Sequence, residues 1–254
     1  MSTHIIVKPT PEDVALRACD WLVARIGQCI KQKERCVISL SGGSTPKRLY
    51  QLLADLPEGT VDWTKVHLIW GDERNVPLDD QDSNFLMVRE TLLDRLGKNG
   101  PNVYPMPIEV DQPMAVAERY DATLRALLGE TDLRWPRIDV VLLGLGDDAH
   151  TASLFPGTDI LYERTKWVAS CWVAKLGTFR ISITPPVINS ADAVMFLVCG
   201  EKKRQALQQI WHAANNPSDY PAQLISPVQG ELWWILDDAA LERIELPKKA
   251  IVEE

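Results

Sequence analysis

The stretch CVISLSGGSTPKRLYQLLADL, Cys36–Leu56, decides how the chain folds. CVISL (Cys36–Leu40) is an unbroken apolar run of strand length, SGGSTP (Ser41–Pro46) is made of turn residues, and KRLYQLLADL has its apolar positions at helical spacing. An unbroken run belongs to a strand buried on both faces, which is the habit of parallel sheets. Pro46 is read as the start of the helix, because proline fits a first helical turn. The unit is therefore strand, glycine loop, helix.

The pattern repeats in both directions. VHLIW (Val66–Trp70) ends in GDERNVP, after which Ser83 can cap a helix running through Phe85, Val88, Leu92, Leu93 and Leu96. Val103–Met106 is a short extended piece, 115–128 is helical, and IDVVLLG (Ile138–Gly144) is the most strand-like stretch, leading into GLGDDAHTASLFPG. Upstream, Thr10 before Pro11, with Asp13 three residues beyond Thr10, starts a helix to about Lys33, with Val14, Leu16, Ala18, Trp21, Leu22 and Ile26 as its buried stripe. Downstream, WVASCWV, RISIT, VMFLVCG and LWWIL are further β-type runs, and Lys202–Ala214 is helical. Such alternation predicts an α/β fold, a mainly parallel sheet with helices on both faces.

The 254 residues show no composition break, and 46% hydrophobic with 24% charged suits one large domain over 1–254. Twenty-seven basic against 35 acidic residues leave a net charge of −8, which repels nucleic acid and anionic membranes, so neither is expected as a partner. Any anionic ligand then needs a local positive pocket. Five cysteines without a CxxC pair point to reduced thiols and a cytoplasmic setting, and no signal or anchor pattern is read at the N-terminus.

In open α/β sheets ligands sit beyond the carboxyl ends of the strands, which directs attention to three loops. In Ser41–Pro46, Gly42 and Gly43 permit close backbone approach, Ser44 and Thr45 add hydroxyls, and the following helix N-terminus attracts phosphate. Gly71-Asp72-Glu73-Arg74 sets two carboxylates beside an arginine where an apolar strand stops. The third loop holds Asp148 and His150, the one histidine of four that follows a strand and a glycine turn; an acidic neighbour can fix its tautomer. Lys175 and Arg180 could supply the positive pocket, while Lys202, Lys203 and Arg204 read equally well as a solvated helix face. GLGDDA loosely matches a dinucleotide fingerprint, but Asp147 and Asp148 would stand where a pyrophosphate needs bare amides. No GxSxG, P-loop, HExxH or zinc spacing is found.

In this order and over most of the chain, SGGSTP, GDER, GLGxDxHTASLFPG and WVxKLGTFRISITPPVINSA resemble the lactonase branch of the glucosamine-6-phosphate isomerase/6-phosphogluconolactonase family. The resemblance implies a Rossmann-like three-layer α/β/α domain and hydrolysis of 6-phosphoglucono-δ-lactone, a step of the oxidative pentose phosphate pathway, with no metal or cofactor. The expected partner is the small sugar-phosphate lactone, acted on by a monomer or small homo-oligomer. His150 is assigned as general base, Asp148 as its orienting carboxylate, and Arg74, positioned by Asp72 or Glu73, as the support for the oxyanion or sugar hydroxyls. Gly42, Gly43, Ser44, Thr45, Lys175 and Arg180 are assigned to the phosphate.

The deaminase branch shares SGGSTP and the histidine loop but continues IAFNEP, where this chain has TASLFP. A sugar-phosphate sensor of the same fold is the other alternative, though no helix-turn-helix is appended and the charge is wrong for DNA. Two departures stand out: AKLGT stands where many members carry an SPKPP-type stretch, with Lys175 and Arg180 retained, and the family's GPDGH is GDDAH here. Ala149 in place of glycine is expected to alter the loop, and Asp147 adds a carboxylate near the histidine.

Overall fold

The structure, a computed structural model, describes residues 2–129 and 135–253. Its strands in chain order are β1 (Ser2–Lys8), β2 (Cys36–Leu40), β3 (Val66–Trp70), β4 (Asp72–Arg74), β5 (Asn102–Tyr104), β6 (Val140–Leu143), β7 (Val168–Val173), β8 (Thr178–Ile183), β9 (Ala193–Val198), β10 (Glu231–Asp237) and β11 (Ile251–Glu253). The helices are α1 (Pro11–Lys33), α2 (Ser44–Ala54), α3 (Asn84–Val88), α4 (Asp94–Leu96), α5 (Pro113–Leu128), α6 (Pro185–Asn189), α7 (Arg204–His212) and α8 (Asp238–Leu241).

Eight strands form one sheet in the order β11-β1-β10-β9-β6-β2-β3-β5, every pair parallel. In β2, β6 and β9 every residue is buried; because successive side chains point to opposite faces, both faces of the sheet centre are covered. Helix α1 begins as its residues dictate, with the Thr10 side chain accepting from the Asp13 amide, and α1 packs on α2. Among the described residues no helix is long and apolar enough to cross a membrane.

Four expectations need correction. The runs WVASCWV and RISIT do not join the parallel sheet. Instead β7 and β8 form an antiparallel hairpin, and with β4 they make a second sheet of three strands, β4-β8-β7. GDER is accordingly no loop, since Asp72–Arg74 is a strand pairing with β8. The change of sheet occurs at Gly71, whose amide donates to Leu40 O (2.9 Å) while its own carbonyl accepts from Ile183 N (2.9 Å). A Cβ there would stand 2.9 Å from Ser39 Oγ and 3.2 Å from the Leu40 carbonyl oxygen, so any side chain would force its neighbours to shift. Third, α2 begins at Ser44, two residues before Pro46. Fourth, Leu16 lies outside the buried stripe at 45% exposure, Ala15 and Cys19 being buried in the same helix. The N-terminal strand β1 was not anticipated at all; it is held between β10 and β11, with His4 stacked on Trp233.

The strand order also locates a crevice. The chain leaves β2 toward β3 on one side, and leaves β6 toward β9 on the other. Since β2 and β6 are neighbours, their following loops diverge, and a gap opens between them at the carboxyl ends.

Candidate active site

A cavity of about 480 Å³ occupies that gap. Its first wall is the loop after β2. Tyr50, fully buried on α2, fixes this loop by accepting from the Ser41 amide (3.0 Å) and donating to the Ser41 carbonyl (2.8 Å). Gly43, at φ 108°, precedes the helix without any side-chain cap, so the amides of the first turn of α2 keep their donors for a ligand. Gly42 must be glycine for another reason, because a Cβ would fall 2.0 Å from Asn84 Oδ1. Gly42, Gly43, Ser44 and Thr45 all line the cavity. Cys199 lines it too, and burial pushes its thiol up to about 11 against a hydrogen bond with Thr45, leaving a neutral group there.

The small sheet supplies the second wall. Asp72 accepts from Ser153 Oγ (2.7 Å), and its carbonyl accepts from Asn84 Nδ2 (3.0 Å). Arg74 and Arg180 are register partners on β4 and β8 and both line the cavity. Arg74 donates to the Asp82 carbonyl and Arg180 to the Phe179 carbonyl (3.3 Å), neutral acceptors that leave both positive charges in place. Burial, and then the Arg74 charge, lower the pKa of Arg180. Two guanidiniums side by side in a partly dry wall gain from an anion between them.

Glu73 is the one expected binding residue that the structure turns away. It is 1% exposed, and its carboxylate accepts from the amides of Asn84 (2.7 Å), Phe85 (2.8 Å) and Arg74 (2.9 Å) and from Ser83 Oγ (3.2 Å). It anchors the start of α3, and the Arg74 guanidinium is held by the Asp82 carbonyl rather than by either neighbouring carboxylate. Burial raises the Glu73 carboxyl above its usual range, opposed by these amides.

The third wall is the loop after β6. Gly146 N donates to His150 O (2.8 Å) and Ala149 N to Gly146 O (3.1 Å), closing a tight turn. A side chain at Gly146 would collide with the His150 ring, 2.0 Å from Nδ1. His150 Nδ1 meets Asp148 Oδ1 at 2.5 Å, and Asp148 Oδ2 accepts from Lys175 Nζ at 2.9 Å. The hydrogen bond with His150, followed by the one from Lys175, holds the Asp148 carboxyl well below its usual range. An ionised carboxylate only accepts, so Nδ1 carries the hydrogen and the Nε2 lone pair is left to take a proton. Phe155 stacks on the ring at 4.1 Å between centroids and fixes its plane.

Within GDDAH, Ala149 adopts φ 62°, the left-handed conformation that favours glycine, at a cost of about 1 kcal/mol. Asp147 is paired with Lys203 (2.5 Å). Lys175, assigned to the phosphate, here secures Asp148. Lys203 is the cavity residue that sequence reasoning left undecided, since a basic run on a helix start does not tell which member turns inward; Arg204 instead pairs with Glu242.

The family model described as glucosamine-6-phosphate isomerases/6-phosphogluconolactonase matches residues 9–234. The chain belongs to this family. The 6-phosphogluconolactonase of Nostoc sp. is 42% identical to this family member over 236 residues, 92% of this chain and 96% of that one. Among solved structures, a 6-phosphogluconolactonase from Trypanosoma brucei superposes with a TM-score of 0.84 at 29% identity, covering 96% of this chain and 99% of the other. A monomeric glucosamine-6-phosphate deaminase superposes with a TM-score of 0.75 at 18% identity, covering 96% and 100%, which shows that this family member shares the deaminase fold.

Proposed function

We propose that the chain, as one domain over 1–254, is a cytoplasmic 6-phosphogluconolactonase that hydrolyses 6-phospho-D-glucono-1,5-lactone to 6-phospho-D-gluconate. The observation that carries this reading is the Lys175–Asp148–His150 chain ending at a cavity whose other walls are the uncapped start of α2 and the Arg74–Arg180 pair. One end of such a cavity suits a phosphate and the other suits ester chemistry. Family membership and the 42% identical lactonase support the same choice.

In this mechanism His150 Nε2 removes a proton from water as its oxygen attacks the lactone carbonyl carbon. Asp148 stays ionised and steadies the imidazolium that forms. Arg74 faces the negative charge that develops on the carbonyl oxygen. When the tetrahedral centre collapses, the bond to the ring oxygen breaks and His150 returns its proton to that oxygen, giving the open acid. The α2 amides, Ser44, Thr45 and Arg180 hold the phosphate. Every proton is accounted for by His150, so no step calls on a metal or cofactor.

The test is the decay rate of freshly generated lactone with and without the protein, with glucosamine 6-phosphate followed in parallel for ammonia release. Accelerated lactone loss that disappears in His150→Ala is the expected result. Ammonia release without lactone turnover would transfer the chain to the deaminase chemistry, and tight 6-phosphogluconate binding with neither activity would make it a sensor.

A further inference from the structure

At the amino ends of the strands, opposite the cavity, three donor atoms converge. Cys29 lies near the end of α1, Cys36 opens β2, and Asp139 immediately precedes β6. All three are buried, at 6%, 0% and 4% exposure, and the two Sγ atoms and a carboxylate oxygen lie within 4.8 Å of one another. Asp139 is held in place from both sides: Oδ2 accepts from the Val37 amide (2.8 Å) and Oδ1 from Lys33 Nζ (2.6 Å). Lys33 in turn reaches Asp192 (2.7 Å), which also pairs with Arg137. The cluster does not enter the proposed reaction.

We propose that Cys29, Cys36 and Asp139 form a binding site for a thiophilic divalent cation of the zinc class, with solvent as the fourth ligand. The donor set is right in kind, since zinc takes thiolate and carboxylate together. Bonds of about 2.3 Å to sulfur at tetrahedral angles place the sulfurs ~3.8 Å apart, so the donors need only a small contraction. Charge also closes: two thiolates and one carboxylate are balanced by a divalent ion together with the Lys33 ammonium already bonded to Asp139. The hydrogen bonds from Val37 and Lys33 orient the carboxylate as outer partners of metal ligands do. An ion there ties the end of α1 to the starts of two adjacent central strands. Its role is to stabilise the fold, separate from turnover at the other end of the sheet.

Cobalt(II) added to the reduced, metal-free full chain tests this directly. The expected result is a thiolate-to-cobalt charge-transfer band with tetrahedral visible bands that saturates at one ion per chain and is displaced by zinc. Zinc at a hundredfold excess over Kd should raise Tm by roughly 5–10 °C. Cys29→Ser and Cys36→Ser should each lose the bands and the Tm shift, while Cys19→Ala keeps both. X-ray absorption on the zinc-loaded unmutated chain, which needs no variant to fold, should read two sulfur ligands per ion. Absence of the bands, their persistence in both serine variants, or a zinc shell of nitrogen and oxygen alone would overturn the proposal.

Discussion

The loops that follow β2 and β6 lie side by side on paired strands, and both carry glycines, yet they are built on opposite principles. The first presents backbone: the Tyr50 hydroxyl clamps the Ser41 peptide, and the helix behind it starts with no side chain on its amides. The second presents a line of charged side chains, Lys175 to Asp148 to His150, beside a turn that backbone hydrogen bonds close. Bare amides bind an anion at any pH and change nothing in it. A carboxylate-oriented imidazole moves protons and needs its partners ionised. The cavity thus separates holding from reacting, and variants of the two walls should separate KM from kcat.

The largest expected effect tests the reacting wall: His150→Ala should lower kcat by about 10²–10⁴-fold, with KM little changed, in a lactone-decay assay. A full-rate variant would remove the histidine base. Asp148→Asn should cost less, on the order of 10²-fold, because the imidazole remains but its tautomer and orientation loosen. On the small sheet, which adds Arg180 to the holding amides of the first wall, Arg180→Ala should raise KM for the phosphorylated lactone by about 10–100-fold with kcat nearly kept, as expected for loss of a charge-assisted contact. If instead kcat fell and KM held, the two walls would not be distinct.

Asp148 also gives a pH signature. Its hydrogen bonds to His150 and Lys175 favour the ionised form in the folded chain, so their contribution to stability is complete above the ordinary aspartate range and is lost as pH falls through it and below. Urea unfolding of the natural chain and of Asp148→Asn should therefore differ at neutral pH and converge in acid. The smallest effect concerns Ala149. Ala149→Gly relieves the left-handed strain but frees the unfolded chain and deletes a buried methyl, so a gain of at most about 1 kcal/mol in unfolding free energy is expected, with turnover within twofold.

Legibility followed the physics of burial. β2, β3, β6 and β9 were readable because strands covered on both faces are nearly continuous in apolar residues, and α1 because Thr10, Pro11 and its spacing mark the start. The hairpin β7–β8 has the strand residues but is only partly buried, and nothing local says which sheet a strand joins. All three expected segments border the cavity, although GDER does so as a strand, and ten of the eleven expected site residues line it. Glu73 is misplaced by the sequence because GDER reads as a loop; in a strand, neighbours must face opposite ways, and with Asp72 and Arg74 on the cavity Glu73 points inward. Lys203 depends on how α7 meets the sheet, which a run of three basic residues does not encode.

The contact between Gly42 and Asn84 has a consequence for how such chains diversify. Position 42 is closed to every side chain while Asn84 Oδ1 lies against it, and Asn84 is itself tied to the Asp72 carbonyl in the other sheet. The two sites, 42 residues apart in sequence, form one unit of inheritance: a methyl at 42 becomes tolerable only in a background where residue 84 has already become smaller, so the order in which the two changes arise decides whether the lineage passes through a damaged intermediate.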